Sequence, residues 1–173
     1  MNRYDERENY IIKEVNCDNA DFKELCVKLD DFQNNMIMER ASLGFTALAG
    51  LERLQKILVM YDNEKAIACA SLKPVNKTTC EIARIYTEEE YRGKGLAKLL
   101  TNRIIELAND LGYNKMILDT WKDGISARAL YQKMGFIEIP MFDIDTLKKS
   151  FSMDDEDKLK KIQELLVFME RDI

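Results

Sequence analysis

The spacing of apolar positions changes period several times along the chain, and each change marks an element. Residues Tyr10 to Val15 read as a short strand. Asp18 and Asp21 then offer caps for a helix whose apolar face is Phe22, Leu25, Cys26, Leu29, Phe32 and Met36, a spacing that places all six on one side. Glu39 to Arg53, with Leu43, Phe45, Leu48 and Leu51, reads as a less regular helical stretch interrupted by Gly44 and Gly50. Three β-leaning runs follow, Ile57 to Tyr61, Ile67 to Lys73 and Thr79 to Thr87. The turn-forming Asp62-Asn63 and Pro74-Val75-Asn76-Lys77 join them, and links this short make antiparallel hairpins.

The period then becomes helical again. Leu96, Leu99, Leu100, Ile104, Leu107 and Leu111 mark one face of the strongest helix in the sequence, which stops at Gly112 with Tyr113 over its end. Met116 to Thr120 is the next strand, followed by a helix carrying Ala127, Leu130, Tyr131 and Met134 and ending in the same glycine-then-aromatic manner, Gly135-Phe136. A strand from Phe136 to Ile139 and a final strand from Leu165 to Glu170 flank a charged stretch, Asp143 to Lys161, that holds one more helix. Hairpins feeding into strand-helix-strand units predict an α+β domain of α/β three-layer type. Its mixed, mostly antiparallel sheet has about seven strands, with helices on both faces. No repeat, linker or low-complexity tract divides residues 1–173, so the chain reads as one domain.

Composition narrows the chemistry. A net charge of -5 provides no broad positive field for a nucleic-acid backbone or an anionic membrane, and mildly favours a cationic partner such as a polyamine or a basic peptide. Histidine is absent, which removes the usual general base near neutral pH and the commonest metal ligand, so no metal is expected. Cys17, Cys26, Cys69 and Cys80 lack the close pair spacings of metal or redox motifs and read as buried apolar residues in a reducing compartment. Met1 to Tyr10 has no signal-peptide core and no run approaches a membrane span, which together predict a cytoplasmic protein.

One segment carries a binding chemistry. Between the strand ending at Thr87 and the helix starting near Leu96 lies Glu88-Glu89-Glu90-Tyr91-Arg92-Gly93-Lys94-Gly95-Leu96-Ala97. Two glycines let the backbone approach a ligand, the helix start offers unpaired N–H groups, and its dipole favours an anion. A pyrophosphate suits that geometry. The Lys-Ser/Thr ending of a P-loop is missing, and Lys98 stands where a dinucleotide fingerprint needs a small residue. A plain strand-to-helix turn with solvated charges is the other reading of the loop.

Arg92-Gly93-Lys94-Gly95-Leu96-Ala97 resembles the Arg/Gln-x-x-Gly-x-Gly/Ala signature of the GNAT superfamily of N-acetyltransferases. Ala129-Leu130-Tyr131-Gln132-Lys133-Met134-Gly135-Phe136 is similar to that family's later helix, and Phe168-Met169-Glu170 to its last strand. The likeness runs from about Ile67 to Ile139; before Ile57 only the order of elements matches. It implies an acetyl-CoA-dependent N-acetyltransferase, a monomer or homodimer whose acceptor is an amine of a small molecule, peptide or protein. The alternative within the same fold is a coenzyme A-binding regulatory or assembly protein without catalysis.

By this resemblance Ile85, Tyr86 and Thr87 lend backbone groups to the pantetheine and the acetyl carbonyl, and Arg92 to Ala97 hold the pyrophosphate. The same resemblance implies Ser126 as a further pantetheine contact. The chain departs from the pattern at Glu88, where a Pro is common, and at Gly124, where many members carry an Asn. Amine acylation needs a neutral nucleophile, a stabilised oxyanion and a proton for the departing thiolate. A lysine-like amine with a pKa near 10.4 is neutral in about one molecule per thousand or fewer at pH 7, so a base is useful. Tyr131 fits the acid by resemblance, whereas periodicity alone makes it a core tyrosine. Asp119, ranked first, and Glu81 compete as the base, a water chain is the third candidate, and a buried structural carboxylate is the other reading of each side chain. A backbone N–H near Ile85 to Thr87 would hold the oxyanion, and the acceptor is expected over the amino-terminal helices.

Overall fold

Two short links set three strands in the first half of the fold, Lys56–Asp62, Lys65–Pro74 and Thr79–Thr87. The computed structural model describes residues 10–44, 46–151 and 153–173, so the reading of the first nine residues and of Phe45 falls outside it. Strands β1 (Tyr10–Val15), β2 (Lys56–Asp62), β3 (Lys65–Pro74) and β4 (Thr79–Thr87) pair antiparallel in succession. After α2 (Leu96–Asp110) the chain returns as β5 (Lys115–Trp121), parallel to β4 as a helical crossover requires. β7 (Leu166–Asp172) inserts antiparallel between β5 and the short β6 (Ile137–Ile139), so the seven-stranded sheet runs β1-β2-β3-β4-β5-β7-β6. This is the mixed, mostly antiparallel α+β sheet that the sequence predicts.

Helices cover both faces. On one, Leu96, Leu100 and Ile104 of α2 and Tyr131 of α3 (Ile125–Lys133) pack with Leu72, Ile82, Met116 and Leu118 of the sheet. On the other, Phe22, Leu25 and Cys26 of α1 (Ala20–Met36) bury against Val59, Cys69 and Tyr86. Beside them Leu147 of α4 (Ile144–Phe151) and Leu159 and Ile162 of α5 (Glu156–Leu165) cover Ile117, Trp121 and Phe168. Alternation along β5 therefore sends Met116 and Leu118 toward α2 and α3, and Ile117, Asp119 and Trp121 toward α1 and α4.

Several elements differ from the sequence reading. The cap of α1 is Asn19, whose side chain accepts from the Phe22 amide at 2.9 Å, rather than Asp18 or Asp21. Asp21 instead accepts the Tyr61 hydroxyl at 2.8 Å. The stretch Glu39 to Arg53 holds two 3-10 turns, Arg40–Leu43 and Leu51–Arg53, because Gly44 and Gly50 adopt left-handed backbone that no helix continues through. The charged stretch holds two helices, with Asp155 capping the second through the Lys158 amide at 3.1 Å. Phe32, expected in the core, is 41% exposed.

Candidate active site

Strands β4 and β5 are paired only at Thr79, Cys80 and Glu81 against Lys115, Met116 and Ile117. Beyond that point they separate, and a cavity of about 860 Å³ fills the gap, walled by 82–87 on one side and 118–121 on the other. β4 stays bonded to β3 through an irregularity between Cys69 and Ser71, opposite which Arg84 takes a left-handed backbone with φ 54°. Its carbonyl accepts the Cys69 thiol at 3.2 Å. The guanidinium holds the 47–49 loop against the strand, donating to Ala47 O at 2.7 Å and Ala49 O at 2.9 Å.

The loop after β4 forms one end of the cavity. Gly93 and Gly95 have φ 77° and 80°, backbone that side-chain-bearing residues adopt only at a cost. Among the described residues no side chain caps α2, so the first-turn N–H groups face the cavity available to an anion. Arg92 donates from Nε to Thr87 O at 3.0 Å and lies 4.3 Å over the Phe32 ring, which explains why that phenylalanine is left on the cavity wall. Lys94 sits 4.9 Å over the Tyr91 ring. Of the resemblance-derived contacts, Ile85, Tyr86, Thr87, Arg92, Gly93, Gly95, Leu96, Ala97 and Ser126 all line this one cavity.

Both departures from the family pattern have local causes. Glu88 accepts a 2.5 Å ion pair from Lys28 of α1 and so ties that helix to the loop, a task proline has no group for. At Gly124 a Cβ would stand 3.0 Å from Trp121 O and 3.4 Å from Thr120 Oγ1, so an asparagine requires the turn to shift.

The three proposed catalytic side chains meet at the gap. Tyr131 is buried, edge-on to Phe136 at 5.8 Å, and its hydroxyl makes no hydrogen bond among the described residues. Burial, then the negative charge of Asp119, raises the phenol pKa and keeps its proton on. Asp119 reaches the same gap from the opposite face of the sheet. Its pKa is pushed up to about 7 by burial first and by the charge of Glu81 second, with Lys73 and Arg84 pulling the other way. Glu81 is engaged on both oxygens, by Lys73 Nζ at 3.2 Å and by Ser150 Oγ at 2.7 Å, and Lys73 also donates to Ser150 O at 3.0 Å. Among the described residues no three His, Cys, Asp or Glu side chains cluster as metal ligands, and no helix is long and apolar enough to cross a membrane.

Sequence reasoning missed the other wall of the cavity. Arg40, 2% exposed, is held by Asp30 at 2.5 Å and Asn34 at 2.7 Å, and lies 5.9 Å from the Trp121 ring. Ser150 and Phe151 reach the same space from α4. No local signal marks Arg40 or Ser150, because their partners lie 6, 10 or 69 positions away.

The model of the acetyltransferase (GNAT) family matches residues 26–136 of the 173. N-acetyltransferase 8 of Homo sapiens is 30% identical over 117 residues, covering 65% of this chain and 46% of that protein. The chain thus spans about half the length of that curated relative. An acyl-CoA N-acyltransferase of Klebsiella pneumoniae superimposes with a TM-score of 0.71 at 20% identity, covering 94% of this chain and 97% of the other. A GNAT family acetyltransferase of Elizabethkingia anophelis, solved with acetyl-CoA bound, gives 0.65 at 16% identity over 96% and 99%.

Proposed function

Because the chain belongs to the GNAT family of acetyltransferases, we propose that it transfers the acetyl group of acetyl-CoA directly to a primary amine. One observation carries this reading. The gap between β4 and β5 lies between a glycine-rich helix start and two candidate proton-transfer groups that approach it from opposite faces of the sheet.

Acetyl-CoA fits the cavity as follows. Its pyrophosphate lies on the loop from Arg92 to Ala97, where left-handed glycines and the uncapped first turn of α2 supply N–H donors. Its pantetheine runs between β4 and the start of α3, past Ile85 to Thr87 and Ser126. Bound there, it supplies an activated acyl carbon in the gap. The backbone of Ile85 to Thr87 provides the N–H that stabilises the oxyanion without demanding a side chain.

Asp119 is the base. A carboxyl with a pKa near 7 takes a proton from an ammonium far better than one near 4, because its conjugate acid is the weaker acid. Glu81 is committed to Lys73 and Ser150, and its charge raises the Asp119 pKa. Tyr131, on the cofactor side, returns a proton to the departing thiolate. The four described thiols are free, which suits a reducing compartment such as the cytoplasm.

Incubating the protein with acetyl-CoA and a panel of amines, and following thiol release, tests the reading. Release that depends on both the amine and Asp119 is the expected result. Coenzyme A binding with no amine-dependent release across the panel would favour a non-catalytic binding protein of the same fold.

A further inference from the structure

The charges on the acceptor side of the cavity do not follow those of the whole chain. The protein carries a net charge of -5, which taken globally favours a cationic acceptor. On the wall formed by α1, β4, β5 and α4 the balance is different. Arg40 is matched by Asp30 at 2.5 Å, and Lys73 by Glu81 at 3.2 Å. Arg84 has no carboxylate partner among the described residues: its hydrogen bonds run from Nε and Nη2 to two carbonyl oxygens, and none of them uses Nη1. Asp119 feels that charge but makes no ion pair with it among the described residues, so the half-buried guanidinium keeps an open donor in Nη1, which a planar anion such as a carboxylate answers.

Backbone geometry fixes this charge at the wall. Arg84 stands at the β4 irregularity with φ 54°, and its two bonds to the 47–49 loop hold the side chain on the face of the sheet that Asp119 shares. The remaining lining on that side is largely apolar: Phe32, Met36, Trp121 and Phe151. A polyamine would find apolar rings and a fixed positive charge there in place of a second anion.

Resting on the acetyl-transfer reading above, we propose that Arg84 is a specificity-determining residue, and that the acceptor is an amino acid-like amine carrying a carboxylate near the nitrogen and an apolar side chain. The carboxylate bonds to Arg84, the amine faces Asp119, and the side chain lies against Phe32, Met36, Trp121 and Phe151. Transfer then forms the amide C–N bond and breaks the thioester C–S bond, with the amine proton going to Asp119 and the thiolate receiving one from Tyr131.

The test pairs L-phenylalanine with phenethylamine and L-phenylalaninamide, which keep the amine and ring and lack the carboxylate. Spermidine serves as the cationic competitor. The expected kcat/KM is higher for the amino acid than for either analogue by about tenfold to a hundredfold, as a charge-assisted hydrogen bond allows. Arg84→Gln removes that preference mainly through KM, Arg84→Lys restores part of it, and acetyl-CoA affinity is unchanged in both. Calorimetry with 3-phenylpropionate in the presence of coenzyme A gives a readout that needs no turnover: wild type binds, and Arg84→Gln binds about tenfold more weakly or worse. Carboxylate binding without acetyl transfer to any amine supports the Arg84 site and removes the transfer reading. Transfer with spermidine or phenethylamine equal to or better than phenylalanine, or 3-phenylpropionate binding that ignores Arg84→Gln, overturns the site and leaves transfer standing.

Discussion

The two ends of the cavity are built by different means. The end proposed for the cofactor, from Thr87 to Ala97, is made of backbone: left-handed turns at Gly93 and Gly95 and a helix start without a side-chain cap among the described residues. The end proposed for the acceptor is made of side chains brought together over long separations, with Arg40 on Asp30, Lys73 on Glu81 and Ser150, and Arg84 on Ala47 and Ala49. A ligand common to a whole family is gripped by groups that every residue type carries. A ligand particular to one member is read by side chains, which change freely as long as their buried charges remain paired.

The sharpest way to break this comparison is at the cofactor end. Gly95→Asp forces a carboxylate-bearing residue into a φ of 80° at the mouth of the anion site, so acetyl-CoA binding should fall below detection by calorimetry. A Cβ at Gly95 meets nothing within 4 Å, so the cooperative unfolding transition should survive. Retained affinity in the folded variant would show that backbone does not make this end. The next largest effect lies at the acceptor end. Lys73→Met strips the partner from Glu81, whose side chain is 5% exposed, and leaves a buried charge uncompensated. That should cost about 3–5 kcal/mol in denaturant unfolding, and the double change Lys73→Met, Glu81→Gln should recover much of it. A loss below about 1 kcal/mol would mean that water, rather than Lys73, balances Glu81.

The same contrast decides what was legible in the sequence. Gly93, Gly95 and the apolar face of α2 are local signals, read within one helical turn of each other, and the loop and its helix lie where they predict. The hairpins were legible because Asp62-Asn63 and the four residues after Lys73 leave no other connection. The acceptor wall was not. Glu39 to Arg53 looks helical in period, and what overrides that is the left-handed backbone at Gly44 and Gly50 together with Asp30, which accepts the Ala47 amide at 2.8 Å from another element. Nothing in the run Ile82-Ala83-Arg84-Ile85 announces a strand irregularity, since Arg84 is an unlikely residue for positive φ on its own propensity. Asn19 stands beside two aspartates that cap helices equally well, and only the Phe22 amide selects among them.

Tyr131→Phe tests the boundary between the two ends. The hydroxyl makes no hydrogen bond among the described residues, so its removal should leave stability and acetyl-CoA affinity nearly unchanged while the ring still packs on Phe136. As the acid for the leaving thiolate it should carry about a hundredfold in kcat. A change within about threefold, measured where chemistry limits the rate, would return Tyr131 to the core residue that its periodicity describes.

The smallest effect is a pH dependence that isolates Asp119. Its folded pKa of about 7 stands above the ordinary carboxylate value of 3.8. Between those values the folded chain holds a proton that the unfolded chain has lost, so the group's contribution favours folding at low pH and fades as pH rises through 7. Asp119→Asn has no proton to lose. Its stability relative to wild type should therefore be close to zero near pH 4, rise through the range between the two values, and level off above about pH 8. A gain of about 1–2 kcal/mol on that plateau is expected, less than the full linkage value because the carboxyl faces an open cavity that water enters. The same variant should lose amine-dependent thiol release, so that stability and activity move in opposite directions at one residue. A difference curve that is flat with pH would place the Asp119 carboxyl in a well-solvated setting, and the base would then have to be sought in ordered water on the acceptor wall.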